Sequence, residues 1–175
     1  MLLGMERLLN VMERDGPPCL AEAQDDETEQ PAGPAVLCIG ARSEADNLSA
    51  RMLAHLLRMR NVRGIALSAS ALAAEQIAEL PLQDVAAVCL CSFHPAPLIQ
   101  TRFALHRLRR RQGDLPLLLG TWAPDDAEQH ASAPPPLAGL RVANSLQEAC
   151  ALAQESVSSY LSARFEPIGQ PLHEA

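Results

Sequence analysis

Ser92 and His94, two apart in VCLCSFHP, pair a hydroxyl with an imidazole that could take its proton. The spacing argues against that chemistry. Residues two apart on extended chain stand side by side rather than converging on one atom, and no Gly-x-Ser-x-Gly elbow surrounds Ser92. His94 then reads as a rim histidine that caps backbone groups. Arg42 and Ser43, in GARSEAD, open an apolar-periodic run, so helix-terminal amides and a guanidinium could together hold an anion there. The alternative for Arg42 is an ion pair with Glu44, or solvent. Cys89-x-Cys91 would point two thiols to one face of a strand about 7 Å apart, without the turn of a zinc or redox Cys-x-x-Cys site. With Cys38 and Cys150 they read as buried structural thiols in a reducing compartment. His55, His106, His130 and His173 are scattered and show no metal-ligand spacing.

Other chemistries fall away by composition. All 14 cations are Arg, which removes Schiff-base and phosphate-loop lysines. A phosphoacceptor site needs paired acids after the first strand and an aspartate after the third, where Gly40 and Ser92-Phe93-His94 stand. No Gly-x-Gly-x-x-Gly follows the first strand, and its turn offers one hydroxyl where a flavin phosphate would want several. Eight acids against Arg7 and Arg14 give residues 1–35 a net charge of −6, out of −7 for the chain. The body is near neutral, so nucleic-acid binding has little electrostatic support.

The elements that must position these residues alternate from Ala35 onward. Apolar runs predict strands over Ala35–Gly40, Arg63–Ser68, Asp84–Cys91, Leu115–Gly120 and Leu140–Ala143. Helical spacing predicts helices over Ser43–Arg60, Ala71–Leu80, Pro97–Gln112 and Ser145 to about Ala163. Ser43-x-x-Asp46 and Ser145-x-x-Glu148 are capping-box patterns. The third of these helices is expected to turn Leu98, Phe103, Leu105 and Leu108 inward and to end in a basic run of arginines, a solvated face or a docking patch for the acidic leader or for anionic lipid. Residues 121–136 are expected as a loop with at most a short helical turn.

Strands that are apolar on both faces belong in a parallel sheet covered by helices on each side. The prediction is a three-layer, doubly wound five-stranded α/β domain of flavodoxin-like order 2-1-3-4-5, over residues 35–164. Before it stand an amphipathic helix in residues 1–15, with Leu2, Met5, Leu8, Leu9 and Met12 on one stripe, and an acidic linker over 16–34. Residues 165–175 read as a loose tail. A helix as short as the first is marginal alone and needs something to dock on, a second copy among the options. No run of 18 apolar residues predicts a membrane span, and no signal peptide is legible. In such folds ligands bind beyond the carboxyl ends of the strands, which gathers Arg42, Ser43, Ser92, His94, Gly120, Thr121 and Trp122 as candidate ligand-binding residues. Trp122 is expected as a lid over that rim.

The order of residues 36–155 resembles the cobalamin-binding domain superfamily. There the first strand runs into Asp-x-His-x-x-Gly, whose histidine ligates cobalt. On that pattern Gly40 falls at the aspartate, Arg42 at the histidine and Ala45 at the glycine, while Ser92 and Gly120 match later positions and Thr121 replaces a glycine. VLCIGARSEADNLSARMLAHLL, VCLCSFHP, LHRLRRR and LPLLLGTW, in that order, resemble more closely the soluble carboxy-terminal domain of autoinducer-2 exporter family permeases. The resemblance implies a non-catalytic cytoplasmic module with a degenerate cobalamin site, of regulatory or assembly role beside a membrane permease at the inner face of the membrane. It also implies no cobalamin; histidine spacing argues for no metal and the charge balance for no nucleic acid, with homodimerisation through residues 2–14 an open alternative. The competing reading is a corrinoid sensor that uses His94 as the cobalt ligand, and a third is an enzyme of unknown reaction. A cavity under the ends of the third and fourth strands would favour the corrinoid; a filled one would favour the module.

Overall fold

A computed structural model describes residues 31–93, 99–122 and 139–165. Its strands are β1 (Ala35–Gly40), β2 (Arg63–Leu67), β3 (Val85–Ser92), β4 (Leu117–Thr121) and β5 (Leu140–Ala143). Its helices are α1 (Glu44–Met59), α2 (Ala74–Glu79), α3 (Ile99–Arg111) and α4 (Leu146–Phe165). The strands form one parallel sheet in the order β2-β1-β3-β4-β5, flanked by helices, as in flavodoxin-like three-layer folds. The expected helix over residues 2–14, the linker up to residue 30, His94, Leu98, residues 123–136 of the expected loop and the tail beyond Phe165 lie outside the described residues.

The period of two along each strand divides the core into halves of different chemistry. On one face Leu37, Ile39, Val88, Leu90, Leu117 and Leu119 meet Ile77 of α2, Leu80 just after it, and Ala104, Leu105 and Leu108 of α3. On the other, Val36, Cys38, Ala87, Cys89, Cys91 and Ala143 meet α1 and α4. That half is built from small residues, including Ala50, Ala54, Ala149, Cys150 and Ala153, so its helices approach closely. Gly64 marks the approach: a Cβ there would stand 2.5 Å from the Ala54 carbonyl oxygen.

Local chemistry sets the element ends. The Ser43 hydroxyl accepts from the Asp46 N–H, and the Asp46 carboxylate accepts from the Ser43 N–H, closing the predicted capping box. α1 stops at Asn61, which takes φ +59°, with Val62 N–H bonded to Leu57 O and Asn61 N–H to Arg58 O. These are the two bonds of a Schellman motif, with asparagine in the left-handed position. The helix expected over Ala71–Leu80 divides into a 3₁₀ turn, Ala69–Leu72, and α2. The Asn47 side chain accepts from the Ala69 N–H, and the Ser68 and Ser70 hydroxyls bond each other, so the chain is held to the rim before α2 begins. Phe103 is a correction. It is 61% exposed, because the buried stripe of α3 is Thr101, Ala104, Leu105 and Leu108, and Phe103 falls outside it.

The four thiols of the thin half-core are buried and unbridged. Burial, then the neighbouring Cys89 and Cys150, pushes the Cys38 thiol well up. Hydrogen bonding with Cys89, then burial, does the same to Cys91, and burial raises Cys150. A thiol raised in the fold holds its proton where the unfolded chain has lost it. Stability is therefore whole below the ordinary thiol range and drains as pH climbs above it, by up to about 1.4 kcal/mol per pH unit for each such group. Urea midpoints should thus fall steadily above about pH 8.5. Ellman's reagent should leave all four thiols untouched in the native chain and titrate them in guanidinium. A midpoint constant to pH 10 would contradict this.

Candidate functional site

The carboxyl edge of the sheet is where the candidate residues were expected to converge, and hydrogen bonds knit much of that edge together. Asp46 is fully buried and accepts three main-chain N–H groups: Arg42 at 3.0 Å, Ser43 at 2.9 Å and Phe93 at 2.8 Å. Its carboxylate therefore sits where an anion at this helix terminus would sit. The amides of Arg42 and Ser43 that the sequence offers to an anion are already committed to it. The Arg42 side chain is exposed and makes no ion pair with Glu44 among the described residues. Glu44 instead accepts from the Asn47 side chain at 3.2 Å. This corrects the anion reading of the turn: GARSEAD holds its own aspartate, and through it the end of β3.

Ser92 is buried at the end of β3, and its carbonyl accepts from the Trp122 N–H at 2.9 Å. Trp122 folds back over β4. A Cβ on Gly120 would run into the Trp122 ring, so that glycine makes room for the indole. Thr121 donates to the Asn144 side chain at 3.2 Å, tying β4 to the end of β5. At the start of α4, Ser145 accepts from the Glu148 N–H, but Glu148 reaches the N–H of Asn144 instead of that of Ser145. The second capping box thus closes one residue early.

Between α1 and α4 this rim leaves a cavity of about 250 Å³. Ser49 and Met52 of α1 line it, with Phe93 after β3, Trp122 after β4, and Asn144, Ser145 and Leu146 at the entrance to α4. Of the six candidate residues that are described, only Trp122 lines it. Arg42 and Ser43 belong to the Asp46 clamp, Gly120 underlies the indole, Thr121 bonds Asn144, and Ser92 lies buried beside the lining residue Phe93. The sequence reading missed Ser49, Met52 and Leu146. The first two stand three apart on α1, a spacing that also fits core packing, and only the seating of α4 opens the space above them.

Among the described residues the lining bears no charged side chain. Ser49 donates to the Asp46 carbonyl at 2.8 Å. Trp122 Nε1 is buried without a hydrogen-bond partner among the described residues. No group of three or more His, Cys, Asp or Glu among the described residues has metal-holding geometry. No described helix is long and apolar enough to cross a membrane. Compared with protein-family models, with curated proteins and with solved structures, the chain matches none of them.

Proposed function

We propose that the chain is a non-catalytic binding module which seats one small, neutral, largely apolar molecule at the rim and serves a regulatory or assembly role beside a membrane permease. The observation that carries the binding half is the buried Trp122 Nε1, unpartnered among the described residues, beside a cavity whose described lining bears no charge. A buried N–H with no acceptor costs about 1–3 kcal/mol, which a ligand acceptor within its reach would remove. Uncharged lining favours a neutral ligand, since a buried charge would find no partner there. The volume lies just below the roughly 300–1,000 Å³ of drug-sized sites, so the ligand is smaller than those. The permease association is supported by the resemblance of the ordered motifs alone.

Titration with small neutral acceptors, pyridines and short amides among them, tests the binding half. The readout is the emission of Trp122, the only tryptophan in the chain. A saturable shift with a raised unfolding temperature is expected; in Trp122→Phe, which has no tryptophan left to read, the unfolding temperature alone should report binding about threefold to tenfold weaker, by the loss of one neutral hydrogen bond. Ser49→Phe, which fills the space, should abolish it. A set of probes that gives no saturable change sinks the proposal.

The corrinoid reading retains one favourable observation, the cavity at the ends of β3 and β4. The turn residues do not fit that group. A guanidinium at Arg42 has no lone pair to give cobalt. Gly40 has neither a carboxylate nor room for one, since a Cβ there would lie 2.7 Å from the Asn47 nitrogen. Hydroxocobalamin mixed with the protein should leave its visible spectrum unchanged. A stable histidine-type shift at micromolar protein, lost in His94→Ala, would establish the corrinoid reading instead.

A further inference from the structure

The outer face of α3 is cationic along its length. Arg102, Phe103, His106, Arg107 and Arg110 are exposed there, and the three arginines form no ion pair among the described residues. Two neighbours are already engaged. Arg109 donates to the carbonyls of Gly113 and Leu115, and Arg111 to that of Ile77. The opposite charge lies elsewhere in the chain. EAQDDETE, residues 22–29, concentrates five acids in eight positions, while the body after residue 35 is close to neutral.

The topology brings these charges within reach. α3 returns from the end of β3 to the start of β4, so its last turn lies at the amino edge of the parallel sheet. β1 enters at that same edge, where the Ala35 N–H bonds the Asp84 carbonyl beside the start of β3. Between six and 13 residues separate the acids from Ala35. At about 3.3 Å each they reach roughly 20–45 Å, against the roughly 20 Å length of a 13-residue helix. We infer that residues 22–29 dock in cis on the outer face of α3, their carboxylates on Arg102, Arg107 and Arg110. Tethering keeps the effective concentration near millimolar, so contacts that are individually weak suffice at low salt. Exposed pairs of this kind are strongly screened at about 1 M salt, where the Debye length is about 3 Å.

The test places a nitroxide on Cys19 of the full ¹⁵N-labelled chain, the four buried thiols being shielded. At low salt the amide signals of residues 102–110 should be lost preferentially. They should return at high salt, in Asp25→Asn/Asp26→Asn/Glu27→Gln, and in Arg102→Glu/Arg107→Glu/Arg110→Glu. Signal loss spread evenly over the domain, or loss on α3 that survives both sets of substitutions, overturns the inference. Loss on α3 when nitroxide-bearing ¹⁴N chain is mixed with unlabelled ¹⁵N chain assigns the face to a second copy and overturns it too. Vesicles of phosphatidylglycerol that bind the wild type, lose the Arg→Glu variant, and bind the leader-neutralised variant no better would assign the face to lipid instead.

Discussion

Replacing Asp46 by asparagine is expected to lower the unfolding free energy by about 2–4 kcal/mol, although the side chain keeps its size. One carboxylate oxygen receives the N–H groups of Arg42 and Ser43, and the other that of Phe93. An amide offers one acceptor and one donor. In either orientation its NH₂ faces at least one main-chain N–H, leaving buried donors opposed. The negative charge is lost as well, where the amino end of α1 favours it. Asp46→Ala leaves all three N–H groups without their acceptor and should cost more. It should also regain part of the loss in acetate relative to chloride at equal ionic strength, because a small carboxylate can enter the space the side chain left. Wild type, whose amides are engaged, should show no such difference. Ser43→Ala, by contrast, loses only the cap at Asp46 N–H and should cost about 1 kcal/mol. Urea unfolding with unchanged m-values is the measurement. An asparagine variant within about 0.5 kcal/mol of wild type, the size of a surface effect, would remove the carboxylate from its structural role.

How much of this was legible beforehand depends on the distance over which each bond acts. Ser43-x-x-Asp46 is a local pattern, and the box it predicts is present. The third bond of Asp46 spans 47 residues to Phe93, and no local spacing announces it. The parallel sheet followed from apolar runs, because continuous runs imply a sheet covered on both faces, and its order from the short polar last strand, which suits an edge. Phe103 shows the limit of that reasoning. Its apolar character suggested an inward face, yet the helix turns by the phase of Thr101, Ala104, Leu105 and Leu108. Trp122 was legible as a lid over the rim, whereas Ser49 and Met52 were visible as residues but not as walls. A cavity belongs to the gap between two helices, and that gap is set by the small side chains of the half-core, not by any motif within one helix.

Gly40→Ala is expected to cost about 2–3 kcal/mol and to lower the melting temperature by roughly 4–12 °C. The reason is room rather than dihedral freedom, since Gly40 is not in the left-handed region. A methyl group would collide with the Asn47 carboxamide oxygen and lie 2.7 Å and 2.8 Å from the Asn47 nitrogen and Cα. The carboxamide can swing aside, but the main chain of α1 cannot move without disturbing the bonds that Asp46 and Asn47 make to Phe93 and Ala69. Adding Asn47→Ala should therefore leave most of the loss in place. Gly113 provides the contrast: nothing lies within 4 Å of a Cβ there, and its alanine variant should be neutral or gain up to about 1 kcal/mol. The same collision governs any attempt to rebuild a cobalt site at this turn. Gly40→Asp with Arg42→His would supply the imidazole and its carboxylate partner, but the new Cβ meets α1 before either group can be used. That chain should be less stable than wild type and spectrally silent towards hydroxocobalamin. If it folded with wild-type stability and gave a histidine-type spectrum, the contact between Gly40 and Asn47 would be slack, and the turn would be a corrinoid site lacking only its ligand.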